Sequence, residues 1–432
     1  MTVASESKIL GVRFPDDWLR NKIGRITTKV GSGATPKGGA SAYQPTGMPL
    51  IRSLNVHNEG FRSYNLAFIN DDHARQLEYA SVEPGDVLLN ITGASILRSA
   101  VVPAEVGPAR VNQHVSIVRP DTDQVLPGYL HAWLISPVMY SYMYSLSVGS
   151  TREAITKEQI LRFPIVFPTL EEQRSIISYL ESKTAAIDGI IGKLQREVEL
   201  LERYRRELIA HTVTRGLNPD VPMKDSGIDW IGKAPASWKA ASISVVTDEN
   251  KAKNADLSEK NLLSLSYGRI IRKDIDLAFG LLPASFDSYQ IVEPGYIVLR
   301  MTDLQNDKRS LRSALANERG IITSAYIGLK VRGPIVSEYF AWLLRFYDLA
   351  KVFYSLGGGV RQSASYKEIG KIPILVPPLA EQQKIADFLE EKSAQIDSTI
   401  EGINKQIELL GKYRKQVIND AVTGKVRVEE VA

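Results

Sequence analysis

The chain has 432 residues, 44% hydrophobic and 24% charged, a formal net charge of +4 and a pI near 8.9, the composition of an ordinary soluble globular protein of more than one domain. It has no cysteine, which excludes a disulfide scaffold, a thiolate metal site and a cysteine nucleophile and suits a reducing, cytoplasmic setting. No run approaches the roughly 18 apolar residues of a membrane span, the opening residues lack a signal-peptide core, and so mild a positive charge permits nucleic-acid binding without arguing for it.

Residues 1–164 read as a globular lobe of short strands and a few helices. Val30 to Gly39 is a Gly-rich loop with Lys29, Ser32, Thr35 and Lys37 in or beside it. Such a loop can present amides to a phosphate, and it is equally consistent with a plain turn, since it lacks either nucleotide-binding spacing. Val82-Glu83-Pro84-Gly85 feeds Val87-Leu88-Leu89, a buried strand. Val115 to Val118 reads as a half-buried strand, and Ala132-Trp133-Leu134 falls in a helical stretch. Arg52, Arg98, Arg110 and Arg152 fall near turns, with Asn55, Asn112, Gln113 and His114 close by. Arg, Asn and Gln read base edges by paired hydrogen bonds; singly, each also reads as a plain surface residue.

Residues 165–217 form a long helix. A heptad beat places Leu180, Ile187, Leu194 and Leu201 at one position and Ile191 and Val198 at the other, the pattern of a coiled coil. A helix of about 40 residues spans about 60 Å. Pro168-Thr169-x-x-Glu172 fits a capping box, and Gly216 sits where the helix should end.

Residues 218–373 read as a second lobe. Gly227-x-x-x-x-Gly232-Lys233-Ala234 nearly spells a P-loop but lacks the magnesium-binding hydroxyl, and its interior is bulky and apolar. Arg269, Arg272, Lys273, Lys308, Arg309 and Arg312 gather around Tyr267, Gln305 and Asn306, with Arg361 farther on. The mixture points to a nucleic-acid surface as well as to a solvated face. Residues 374–432 hold a second long helix with Leu389, Ile396, Ile403 and Leu410 on the beat, Ile400 and Ile407 beside them, and Gly424 at its end. Pro377-Pro378-x-x-Glu381 opens it and retains only the acidic half of a capping box.

The two helices align without a gap from Ile165 and Ile374, an offset of 209, with roughly two positions in five identical, far beyond chance. The lobes correspond more weakly. Val292-Glu293-Pro294-Gly295 and Ile297-Val298-Leu299 repeat the first lobe's turn and strand, and Ala341-Trp342-Leu343 answers Ala132-Trp133-Leu134. The chain is a tandem duplication: variable lobe, long helix, variable lobe, long helix. The helices should pack antiparallel, because parallel packing would set Arg205 beside Arg414, whereas antiparallel packing moves them toward Ser393 and Thr184. Each helix packing only on its own lobe is the alternative.

Catalytic patterns are missing. The five histidines, His57, His73, His114, His131 and His211, form no metal spacing. There is no nucleophile elbow, and Asn218-Pro219-Asp220-Val221 fails as a methyltransferase loop. Catalysis is expected in partners.

Pro168-x-Leu170-x-Glu172-Gln173, repeated as Pro377-x-Leu379-x-Glu381-Gln382, resembles a specific motif of the specificity subunits of type I restriction–modification systems. Gly149-x-x-Arg152, Gly359-x-Arg361, Ser226-Gly227-Ile228-x-Trp230-Ile231-Gly232 and Gly33-x-Thr35-Pro36 add to the resemblance, which covers nearly the entire chain. The Gly-x-Thr-Pro loop is not evident in the second half. The resemblance implies an α+β fold of two similar target recognition domains joined by two long helices, packed as an antiparallel coiled coil in a pseudo-twofold repeat. Each domain would read half of a bipartite double-stranded DNA target, and the helices would fix the spacer. Two methylation subunits carrying S-adenosylmethionine would dock on the helices, and restriction (translocase and nuclease) subunits would complete the complex. This chain would bind no cofactor, no metal and no membrane. A coiled-coil scaffold that assembles partners without reading DNA is one rival reading; a stand-alone methyltransferase or nuclease is another.

Overall fold

The computed structural model describes residues 11–147, 154–274, 285–304, 311–356 and 362–428. Arg152, Lys308, Arg309 and Arg361 lie outside the described residues, as do Gly149, Gln305, Asn306 and Gly359. The chain forms two compact units, one from residues 1–194 and 405–432, the other from 195–404.

In the first unit the strands are β1 (Leu19–Lys22), β2 (Thr27–Ser32), β3 (Met48–Ile51), β4 (Val56–His57), β5 (Gly60–Phe61), β6 (Ala67–Ile69), β7 (Ser81–Val82), β8 (Val87–Asn90), β9 (Ser99–Val101), β10 (Ala109–Val111), β11 (Val115–Pro120) and β12 (Pro164–Phe167). They build two four-stranded sheets, ordered β2-β11-β8-β9 and β6-β3-β10-β7, with β1 paired to β12 and β4 to β5. In the second unit the strands are β13 (Met223–Asp225), β14 (Lys233–Pro235), β15 (Lys239–Ser242), β16 (Thr247–Glu249), β17 (Leu262–Ser266), β18 (Arg269–Lys273), β19 (Gln290–Val292), β20 (Ile297–Leu299), β21 (Ser313–Leu315), β22 (Gly320–Ile322), β23 (Ile327–Val331) and β24 (Pro373–Val376). Their sheets run β16-β23-β20-β21 and β18-β17-β22-β19, with β15 paired to β24 and β13 to β14. The pairing senses match sheet for sheet, including one parallel contact in each unit, β3 with β10 and β17 with β22. The near-P-loop is simply the link between β13 and β14.

Alternation along the central strands explains their apolar runs. Val87 and Leu89 point into a core shared with the helices, and Leu88 into a core between the two sheets. Ile297 and Leu299 oppose Val298 in the same way. A sheet covered on both faces reads as continuous apolar sequence. For the same reason Val115 to Val118 is fully buried, not half-buried as alternation suggested.

The long helices are Leu170–Arg215 and Leu379–Val422, 46 and 44 residues, slightly longer than the heptads indicated. Within each unit their segments run antiparallel. In the first, Glu172 meets Arg427 and Asp188 meets Arg414; in the second, Arg205 pairs with Asp397, one turn from Ser393. Leu180 and Ile187 pack in one core with Val417, Ile418, Ala421 and Val422. Ile209 and Val213 pack in the other with Ile385, Ala386 and Leu389. Ile396 and Ile403 are buried, whereas Ile191, Leu194, Val198, Leu201, Ile400, Ile407 and Leu410 are only half-buried.

The repeated Pro-x-Leu-x-Glu-Gln motif is an anchor. Gln173 accepts from Leu126 N at 2.8 Å and donates to Gln124 O and Pro168 O at 2.9 and 3.0 Å. Gln382 repeats this with Val336 N, Pro334 O and Pro377 O at 2.7, 3.0 and 2.7 Å. Both glutamines are fully buried, so every polar atom needs its partner. The glutamates depart from the expected capping box. Thr169 does accept from Glu172 N, but the Glu172 carboxylate accepts from Arg427 and the Glu381 carboxylate from Trp238 Nε1. Position 218, the repeat partner of Arg427, is Asn. Glu381 is thereby left for Trp238, while the equivalent Trp18 Nε1 is buried without a partner.

These contacts also correct the alignment of the short helices. Leu126 matches Val336, and Tyr129, bonded to Val166 O and Val422 O, matches Tyr339, bonded to Leu375 O and Val213 O. The offset there is 210, so buried Trp133 corresponds to buried Leu343. The matching Ala-Trp-Leu triplets are one residue out of structural register.

Candidate nucleic-acid interface

The polar residues singled out in the first lobe separate into two groups. One is structural. Lys29 donates to Ser81 O at 2.9 Å. Burial, followed by the Arg119 guanidinium, holds its ammonium below the usual range. Arg110 is buried, donating to Ala74 O and Ala109 O at 3.1 Å each and to Glu78. Asn55 is buried and holds the 52–64 connection through Arg52 N, Arg62 O and Tyr64 O. Arg52 lies over the Tyr43 ring and donates to Asn65 O at 2.7 Å. Buried Asn112 closes a tight turn by accepting from His114 N at 3.0 Å.

The other group faces a cleft of about 790 Å³ lined by Leu54, Thr92, Ser95, Arg98, Gln113 and His114 among others. Arg98 is exposed at this cleft, and Gln113 and His114 are half-buried. The Gly-x-Thr-Pro loop reaches it from behind. Gly33 N donates to Asn112 O at 3.2 Å, and a Cβ on Gly33 would overlap the Val111 carbonyl. Only glycine permits this approach, which carries Thr35 to the Gln113 side chain. Pro36 is buried, while Lys37 is exposed and Ser32 half-buried. Thr92 and Ser95 were absent from the sequence-derived candidates. Their only signal is a Gly-containing hydroxyl loop after a buried strand.

In the second lobe, β17 and β18 are joined by Tyr267-Gly268, with φ of 45° and 74°. Two successive left-handed residues make the tight hairpin turn that matches strand twist. Tyr267 is 80% exposed at its tip. Arg269, Arg272 and Lys273 are all exposed along β18, the sheet edge. Arg269 pairs with Asp397 at 2.6 Å and Arg272 with Glu318. Arg345 donates to Gly268 O, tying the turn to helix Ser337–Leu349. Arg312 is interior, fully buried with its guanidinium on the carbonyls of Arg300, Thr302 and Asp303. Its backbone N–H donates to Asp348, whose carboxyl burial pushes up. It is therefore separate from the exposed β18 cations.

A family defined as the type I restriction modification DNA specificity domain matches residues 15–200 and 316–409. The chain belongs to this family. DNA recognition therefore stands over the scaffold reading. The StySPI type I restriction enzyme specificity subunit of Salmonella potsdam is 20% identical over 433 residues, covering 96% of this chain and 91% of that protein. A chain from a type I R-M system structure concerned with complex assembly and conformational transition superposes with a TM-score of 0.70 at 16% identity, covering 96% of this chain and 100% of that one. The HsdS subunit from Thermoanaerobacter tengcongensis gives 0.52 at 16% identity, covering 96% and 98%. The α+β fold of this specificity family is thus the fold seen here. Among the described residues no helix is long and apolar enough to cross a membrane.

Proposed function

We propose that this chain is the non-catalytic DNA-recognition subunit of a type I restriction–modification complex. The lobes at 1–164 and 218–373 act as target recognition domains, each reading one half of a bipartite duplex target. The helices at 165–217 and 374–432 set the spacer. The observation that carries this reading is one sheet topology held twice by the same anchors, with different side chains at the exposed turns. That is the design of two readers of one kind with different targets.

The polar groups gathered at the cleft and on β18 are base and phosphate partners rather than a nucleophile with its base. The cationic candidates Arg98, Arg269, Arg272, Lys273 and Lys37 are exposed, and Tyr267 offers a stacking face. Two methylation subunits dock along the helices and carry the S-adenosylmethionine, restriction subunits join them, and the assembly works in the cytoplasm. Leu200 and Tyr204 on one helix and Leu409 and Tyr413 on the other are repeat-equivalent, one turn apart and 42% to 56% exposed. Apolar residues left open at matching positions suit two copies of one partner.

Inserting one heptad into a long helix tests the ruler. Methylated positions mapped in host DNA should keep both half-sites and change only the spacer; altered half-sites would refute it. DNA affinity of the assembled complex should fall steeply with salt, as phosphate neutralisation requires.

A further inference from the structure

The first unit contains a hydrogen-bond chain that runs through three residues lining the cleft, Gln113, His114 and Thr92. Thr35 Oγ1 donates to Gln113 Oε1, Gln113 Nε2 lies 2.8 Å from His114 Nε2, and His114 Nδ1 lies 2.5 Å from Thr92 Oγ1. In this arrangement the amide nitrogen donates to His114, so the imidazole carries its proton on Nδ1 and donates it to Thr92. Both ends of the Gln113 amide are held.

A glutamine amide has two N–H groups and two acceptor positions. Thr35 and His114 engage one of each. One N–H and one lone pair remain, the pair that complements N7 and N6–H2 on the major-groove edge of adenine. The cleft beside Gln113 is open and carries the exposed Arg98. Pinning removes beforehand the rotamer freedom that a loose glutamine loses on contact. In the second unit the matching turn, closed by Ala325 N to Thr323 Oγ1, carries Ser324 instead. It offers no amide, so the device belongs to the first unit.

We propose that Gln113 reads an adenine in the first unit's half-site, with Thr35 and His114 as positioning residues. The assignment rests on the DNA-recognition reading above and adds which base is read and by which atoms. It makes Gly33-x-Thr35-Pro36 an aiming device for a base-reading amide.

The test uses the full chain assembled with its methylation subunits, selecting bound duplexes from a randomised library. The wild-type complex should select a bipartite motif with an invariant A·T pair in one half. Gln113→Ala should lower preference at that single pair by about 10- to 100-fold and leave the other half-site unchanged, which also reports that the protein is folded. Gln113→Glu, whose side chain only accepts when ionised, should shift preference at that pair toward cytosine. Replacing the adenine with 7-deazaadenine, which lacks N7, should weaken wild-type binding about tenfold and leave Gln113→Ala unaffected. Thr35→Val should partly relax the same pair and no other. Unchanged preference in Gln113→Ala, or relaxation at a G·C pair instead, overturns the assignment. A wild-type complex that selects no motif overturns the DNA-recognition reading and this assignment with it, and is recognised before any variant is made.

Discussion

The turn at Asn112–His114 and the turn at Thr323–Ala325 occupy the same place in two copies of one sheet pair. A side-chain oxygen closes each by accepting from the amide two residues on. The first then presents Gln113 and His114 over a cleft; the second presents Ser324 and Ala325. The neighbouring connection differs as strongly. Residues 52–66 run from β3 to β6 by way of a small hairpin, whereas Tyr267 and Gly268 alone join β17 to β18. The Gln173 and Gln382 anchors and the Tyr129 and Tyr339 contacts repeat atom for atom, while the exposed turns do not. The buried glutamine anchors are kept in both copies, and the side chains at the exposed turns differ.

The largest expected effect would break the first reader alone. Gly33→Ala drives a Cβ into the Val111 carbonyl and should cost about 4 kcal/mol, with loss of one half-site. Gly31→Ala, where a Cβ meets nothing within 4 Å, is the control. Chemical denaturation with half-site mapping checks both. The scaffold should respond evenly instead. Gln173→Ala and Gln382→Ala each strip three buried hydrogen bonds and should each cost about 3 kcal/mol. Unequal losses in calorimetry would show that the anchors are not equivalent.

Acid should separate the units again. His131 packs beneath β9, its Nδ1 3.3 Å from Ser99 Oγ. Burial, followed by Arg414, lowers its pKa to about 4. The folded pKa lies below the unfolded value near 6.5, so this stabilisation is present above pH 6.5 and is lost as pH falls toward 4. The loss should reach about 3 kcal/mol in the first unit. The second unit has Ala341 at the matching position. Hydrogen exchange followed from pH 7 to 4 should show the first unit loosening earlier, and His131→Gln should abolish the difference.

The smallest effect concerns the helix ion pairs. Asp397 joins Arg205 to the hairpin's Arg269, whereas its counterpart Asp188 pairs with Arg414. Either change to Asn should cost about 1 kcal/mol. Only Asp397→Asn should speed hydrogen exchange at the Tyr267 hairpin.

Much of this architecture was legible beforehand because it repeats. A shared heptad, a doubled Pro-x-Leu-x-Glu-Gln and two Pro-Gly turns feeding apolar strands identified two copies of one fold. The like charges of Arg205 and Arg414 pointed to antiparallel helices. The site was less legible. Arg110 and Arg312 read from composition like Arg98 and Arg269, yet their guanidiniums face carbonyls in the interior. Spacing along a chain does not reveal which side of a strand has an unfilled acceptor.

By itself the sequence determined the duplication, the two long amphipathic helices and the family resemblance, since each is carried by local periodicity or short motifs. Only the tertiary structure decided which helix end closes which unit. Gly216 packs against Trp238 and Glu381, and Gly424 against Pro15 and Trp18, so each unit is completed by a segment from the other half of the chain. It also brought Thr35 to Gln113 across 78 residues. That meeting depends on a backbone approach that only a missing Cβ allows, a condition that no pattern of hydrophobicity or charge records.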